Sequence, residues 1–156
     1  MISVNVILEN KLWGKKIKKP HIFFNELSRN FPKEYQFVNK KVFLTVLLSN
    51  NKIIKKLNKS FRKKNKSTDI LSFPCEKKPF KKKVIYLGDI IISYDFMNKP
   101  KSLSNFQFKD KVLKIFIHGF LHLLNYDHIK LKDFKKMTKE EERIYNFTNK
   151  KIEKFI

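Results

Sequence analysis

Three of the chain's four histidines, His118, His122 and His128, fall within the single stretch HGFLHLLNYDH. His118 and His122 are four apart, so on a helix both imidazoles lie on one face, one turn from each other. His128 can join them only if the chain changes direction. Asn125 stands where that turn belongs, because Asn is second to Gly for the left-handed residue that ends a helix. Two nitrogens from a helix, a sharp stop and a third folding back would converge on one point. That is the donor set of a catalytic zinc site with one open position. Histidines also occur in ordinary packed helices, but a buried imidazole without a partner costs about 1–3 kcal/mol, a cost that a bound metal removes. Ligation needs neutral rings, so such a site should lose its metal below about pH 6.

The spacing equals that of the zinc-protease pattern H-E-x-x-H-x-x-G-x-x-H. Those proteases need a glutamate at the second position as general base. This chain has Gly119 there, which disfavours peptide hydrolysis by that route. A helical glycine costs about 1 kcal/mol against alanine. The reason for accepting it would be space, for a substrate or for a closely packed strand.

The elements that must position these residues follow from patterning. ISVNVIL (2–8) alternates and reads as a strand. KKIKKP (15–20) reads as a basic connector, and Pro20 opens a helix over 21–30. KVFLTVLLSN (41–50) is apolar enough for a central strand. NKIIKKLNKSFRK (51–63) places Ile53, Ile54, Leu57 and Phe61 at helical spacing, with lysines opposite. Strands are predicted over 69–76 and 84–93, with an exposed lysine-rich loop at 77–83 between them and a linker at 97–104. A buried helix follows from 106 to 124. An amphipathic helix over 131–155 carries Leu131, Phe134, Met137, Ile144 and Phe147 on one side. The order β-α-β-α-β-β-α-α predicts an α+β domain with a small mixed sheet packed with helices, filling 1–156 as one domain.

Composition narrows the class. No run reaches the ~18 apolar residues of a membrane span, the N-terminus lacks a signal-peptide pattern, and Cys75 is the only cysteine. A soluble cytoplasmic protein is expected. The 36 Lys+Arg against 14 Asp+Glu give a formal charge of +22, a field that attracts polyanions such as nucleic acid. An AT-rich coding sequence also enriches lysine, so composition alone leaves both origins open. Arginine is scarce, at positions 29, 62 and 143 only. Arg62 reads either as a helix C-terminal charge or as a phosphate ligand.

HGFLHLLNYDH resembles the H-G-x-L-H-L-x-G-Y-D-H signature of the YbeY-type rRNA-maturation endoribonucleases. LNKSFRKKNKSTDILSFP (57–74) and LGDIIIS (87–93) resemble two further motifs of that family. Two positions depart from it: Asn125 stands for a glycine, and Ser67 for a proline. The resemblance implies a zinc-protease-like (zincin-like) fold and one Zn2+ on His118, His122 and His128. It places Arg62 in a groove near the metal, so Arg62, His118, His122 and His128 become the catalytic set. It implies a zinc-dependent, single-strand-specific endoribonuclease in rRNA maturation, acting at the small-subunit rRNA 3′ end and in ribosome quality control. The implied partners are single-stranded precursor rRNA, the small ribosomal subunit, ribosomal proteins and an assembly GTPase. Two rivals stand beside it: a zinc-stabilised assembly factor that binds RNA without cutting, and a metal-dependent hydrolase of another bond. Asp127 could orient an imidazole or hold the turn. Asp69 and Asp89 lie in family motifs without a catalytic assignment. His21 is expected on the surface, and Cys75 in packing.

Overall fold

The computed structural model describes residues 1–75 and 81–152. Alternation in the first two strands, β1 (Ile2–Leu8) and β2 (Lys41–Ser49), buries Ile2, Val4, Val42, Leu44, Val46 and Leu48 on one face. With β3 (Ile70–Pro74) and β4 (Val84–Ser93) they form a mixed sheet of order β1-β2-β4-β3. β1, β2 and β4 are parallel, and β3 runs antiparallel on β4. Parallel neighbours need a crossover. Between β1 and β2 it is supplied by α1 (Trp13–Lys16), α2 (Pro20–Arg29) and a 3-10 turn at Lys33–Tyr35. The chain leaves β2 through α3 (Asn51–Arg62), and a one-turn α4 (Tyr94–Met97) follows β4.

Successive residues of a strand point to opposite faces. Ile70, Ile90 and Ile92 face the main core, whereas Leu71 and Ile91 meet Ile54 of α3 on the other side. The main core is closed by α5 (Asn105–Leu123), which starts at a capping box between Ser104 and Gln107. Its aromatic side chains interlock with those of α2 and the segment after it. Phe116 meets Phe24 at 5.1 Å, and Phe120 meets Phe31 at 5.0 Å. Its other side lies on β3. A Cβ at Gly119 would stand 2.6 Å from Ile70 Cδ1 and 3.1 Å from Ser72 Oγ. Of the two reasons for glycine at that position, the packed strand is the one the structure shows.

α6 (Leu131–Ile152) docks through buried Met137, Ile144, Thr148 and Ile152. Tyr35 Oη donates to Glu140 Oε2 at 2.6 Å, and the Arg143 guanidinium joins Glu140 to Glu34. Leu131, Phe134 and Phe147 are exposed, against the apolar face expected of them; the first two stand beside the exposed segment 127–130 before the helix reaches the core.

The mixed α+β expectation holds, and strand 84–93 has the predicted bounds. A short helix, α1, runs from Trp13 into the start of the stretch read as a connector (15–20), and helical periodicity could not reveal it in four residues. It is anchored by Trp13, fully buried, whose Nε1–H donates to the Ser49 carbonyl at 3.0 Å. Cys75 is exposed rather than packed, since it lies just past the end of β3. Residues 77–80 of the lysine-rich loop, and 153–155 of the last predicted helix, lie outside the described residues.

β4 carries one extra residue between the Phe43–Tyr86 and Thr45–Asp89 pairs. Gly88 occupies this bulge with φ +136°, and a Cβ there would meet the Phe73 carbonyl oxygen at 2.1 Å. Gly88→Ala is therefore expected to destabilise the fold by about 2–5 kcal/mol; a denaturant midpoint within error of the parent would contradict this. A second expectation concerns α6. The Arg143 guanidinium, aided by Tyr35, holds the Glu140 carboxyl below its ordinary value of 4.5. A depressed carboxylate adds stability above its unfolded pKa and loses it as pH falls through the folded value. The parent should lose more stability than Glu140→Gln between about pH 5 and pH 3; parallel pH profiles would contradict this.

Candidate metal centre

The stop predicted at Asn125 is present. Asn125 has φ 66°, its N–H donates to the His122 carbonyl at 2.9 Å, and the Tyr126 N–H donates to the Leu121 carbonyl at 3.0 Å. These two bonds form the Schellman closure of a helix, and they turn the chain so that His128 returns to the helix end. The rings of His118 and His122 have centroids 4.7 Å apart, and His128 lies 5.6 Å and 5.1 Å from them. One nitrogen from each can be chosen so that all three lie within 4.8 Å of one another.

Hydrogen-bond partners set the tautomers. His118 Nδ1–H donates to Glu141 Oε1 at 2.5 Å, and His122 Nδ1–H donates to the Tyr126 carbonyl at 3.0 Å. Each ring in its neutral form therefore turns a bare Nε2 lone pair inward, and the two Nε2 atoms are 3.1 Å apart. Two lone pairs facing each other repel unless a cation lies against both. A shared proton would satisfy that pair, but only a metal also uses the third ring. Nitrogens bound to one tetrahedral zinc stand about 3.3 Å apart, from Zn–N bonds of about 2.0–2.1 Å. The donor set thus fits such an ion. Burial first, then the charges of His118 and His128, push the His122 pKa below its ordinary value. This favours the neutral ring that ligates a metal.

The histidines open into a cleft of about 740 Å³ that is also lined by Arg62, Phe61, Phe73 and Ser72. Arg62 is exposed at the last turn of α3, and Lys63, in the left-handed conformation, ends that helix. The buried Asn58 donates Nδ2–H to the Lys66 carbonyl at 2.8 Å and so pins the loop that follows. All four residues singled out from the sequence, His118, His122, His128 and Arg62, therefore border one cavity. Asp127 does not orient a ring, because its Oδ1 accepts the His128 N–H at 2.7 Å and holds the turn. Asp69 lines the cleft, but its Oδ1 is spent on its own turn, accepting the Ile70 N–H at 2.8 Å. His21 is exposed and isolated from this site.

Comparison with known proteins places the chain in a family. The profile of the family described as Endoribonuclease YbeY matches residues 8–149. The chain belongs to the endoribonuclease YbeY family. A protein of that name from Pelagibacter ubique (strain HTCC1062) is 64% identical over 152 residues, spanning 97% of this chain and 99% of that protein. Another, from Ehrlichia canis (strain Jake), is 36% identical over 128 residues, spanning 82% and 80%. The solution structure of TM1509 from Thermotoga maritima is similar in fold, with TM-score 0.57 and 23% identity, over 99% of this chain and 93% of that one.

The YbeY motifs quoted from the sequence cover the histidines and Arg62, but not Glu141. That carboxylate reaches His118 from α6, a separate element. The one trace of it in the sequence is the run Glu140–Glu142 in a chain poor in acids. An outer carboxylate fixes the ring and raises its basicity, and its loss commonly weakens metal binding 10- to 100-fold. Glu141→Ala is expected to lower zinc affinity by about that factor while the fold persists. Competition with a chromophoric chelator measures it, and an unchanged affinity would contradict the role.

Proposed function

We propose that this chain is a zinc-dependent endoribonuclease specific for single-stranded RNA. Its substrate is precursor rRNA at the 3′ end of the small-subunit rRNA, and the same activity serves ribosome quality control in the cytoplasm. The observation that carries this reading is the pair of inward-facing Nε2 atoms, 3.1 Å apart, opening into the cavity that Arg62 also lines. Among the described residues no helix is long and apolar enough to cross a membrane. The small ribosomal subunit, its proteins and an assembly GTPase are proposed as partners by analogy with the family.

His118, His122 and His128 would hold one zinc ion. Bound there, it would supply a Lewis acid that lowers the pKa of a water and polarises a phosphoryl oxygen. Glu141 and the Tyr126 carbonyl keep the two helical rings in the ligating tautomer and orientation. Arg62 presents planar, paired donors that match two phosphate oxygens and the charge that grows on them during cleavage. The exposed lysines of α3, Lys52, Lys55, Lys56 and Lys59, extend a cationic track from that point along the RNA backbone. The side chains of Ile70 and Ser72 of β3 lie where a side chain at position 119 would start, which argues against a protease-type glutamate base there.

The purified protein is expected to cleave a 3′-extended small-subunit rRNA precursor, and to stop doing so with a chelator or with His118→Ala. A protein that holds zinc and binds ribosomal subunits but cuts nothing would instead be a non-cleaving assembly factor. Arg62→Lys is expected to reduce turnover by about tenfold or more, through loss of the paired geometry, with zinc content unchanged. Unaltered turnover would remove Arg62 from the mechanism.

A further inference from the structure

Phe61 does not behave as the sequence pattern suggests. It ends the apolar stripe of α3, in which Ile54 is buried and Ile53 and Leu57 are half-buried. Phe61 itself is 67% exposed. Its ring rests against that of Phe73, with centroids 5.2 Å apart and planes tilted by 59°. Phe73 is half-buried, in the end of β3, and packs on the Leu71–Ile91 cluster. Both rings line the cleft that holds Arg62 and the three histidines.

We infer that the Phe61–Phe73 pair is a base-stacking subsite, taking one nucleobase of a single-stranded RNA while Arg62 takes an adjoining phosphate. This rests on the ribonuclease reading above and names how the same cleft recognises its substrate. The reasoning is one of chemical class. A supported, open aromatic ring beside an arginine and exposed Lys59, Lys63 and Lys64 suits a ligand that alternates flat apolar units with anions. An acidic peptide would satisfy the cations and leave the ring bare. An apolar peptide would do the reverse. Every nucleobase has a π-face, so the subsite is tolerant of sequence. In a duplex both faces of a base are already stacked, so the subsite selects unpaired RNA.

The subsite also has a fixed relation to the histidines. Ser72, next to Phe73, donates its Oγ–H to the Gly119 carbonyl at 3.3 Å, and Gly119 adjoins His118. Phe73 faces the α3 side of β3 and Ser72 the α5 side, so a base held at Phe73 lies across the edge of that strand from the helix that carries His118 and His122, within the one cleft that both residues line, and Phe61 acts as a substrate-positioning and specificity residue.

The test is a binding cycle on the full chain, with a short single-stranded oligouridylate as probe. Phe61→Ala is expected to raise its Kd by about 5- to 100-fold and to leave duplex RNA binding unchanged. Removing one base from the probe should weaken binding to the parent at one position, and cost nothing further in Phe61→Ala. Phe61→Trp should retain affinity, and its new indole should be quenched by the probe, since the native Trp13 is fully buried. Equal losses for single-stranded and duplex RNA, additive losses from the two deletions, or an unquenched indole would overturn the inference. RNA cleavage by the parent is scored in parallel. Cleavage without coupling counts against the stacking subsite alone, and coupling without cleavage counts against the nuclease reading alone.

Discussion

The contact of α5 with β3 at Gly119 is the constraint from which the site is built. It brings the helix that carries two histidines within touching distance of Ile70 and Ser72. β3 pairs with β4 on one side, and its other face supports α3 through Leu71. α5 and α3 thus pack on opposite faces of β3, and a side chain at position 119 could enter this approach only if Ile70, Ser72 and Ile90 gave way. The glycine that removes the protease base from this motif is the same glycine that lets the strand in.

Around that contact, the metal centre is assembled from backbone geometry and outer hydrogen bonds. The closure at Asn125 turns the chain by satisfying two terminal carbonyls of α5, and His128 returns as a consequence. The Tyr126 carbonyl, released by the same turn, orients His122. Glu141 orients His118, but only because α6 is docked by its buried face and by the Tyr35–Glu140–Arg143 network one residue away. The ligand geometry therefore depends on the packing of the whole domain, not on the motif alone.

What was legible in the sequence and what was not divides along physical lines. The helix read over 106–124, its stop and the convergence of three rings follow from local spacing and from the left-handed tolerance of Asn; the helix runs over Asn105–Leu123, and the stop and the convergence are present. The first strand follows from alternation and the second from its apolar run. Glu141 was not legible, because nothing local says which face of α6 meets which ring. α1 escaped notice because a single turn has no periodicity and is held by the remote contact of Trp13 with Ser49. Phe61 fits its helical stripe in sequence but stands in the cleft, since the stripe runs past the end of what α3 covers. Tertiary contacts, not local propensity, decided each of these cases.

The central claim is that three histidines hold one metal ion on which RNA cleavage depends. Its most direct test is to strip the purified protein of metal, add zinc back in measured steps, and follow the cleavage rate of a single-stranded RNA. The expected result is negligible activity at the start, a rise in proportion to added zinc, and a plateau at one ion per chain. Full activity in the stripped protein, or a rate indifferent to added zinc, would contradict it.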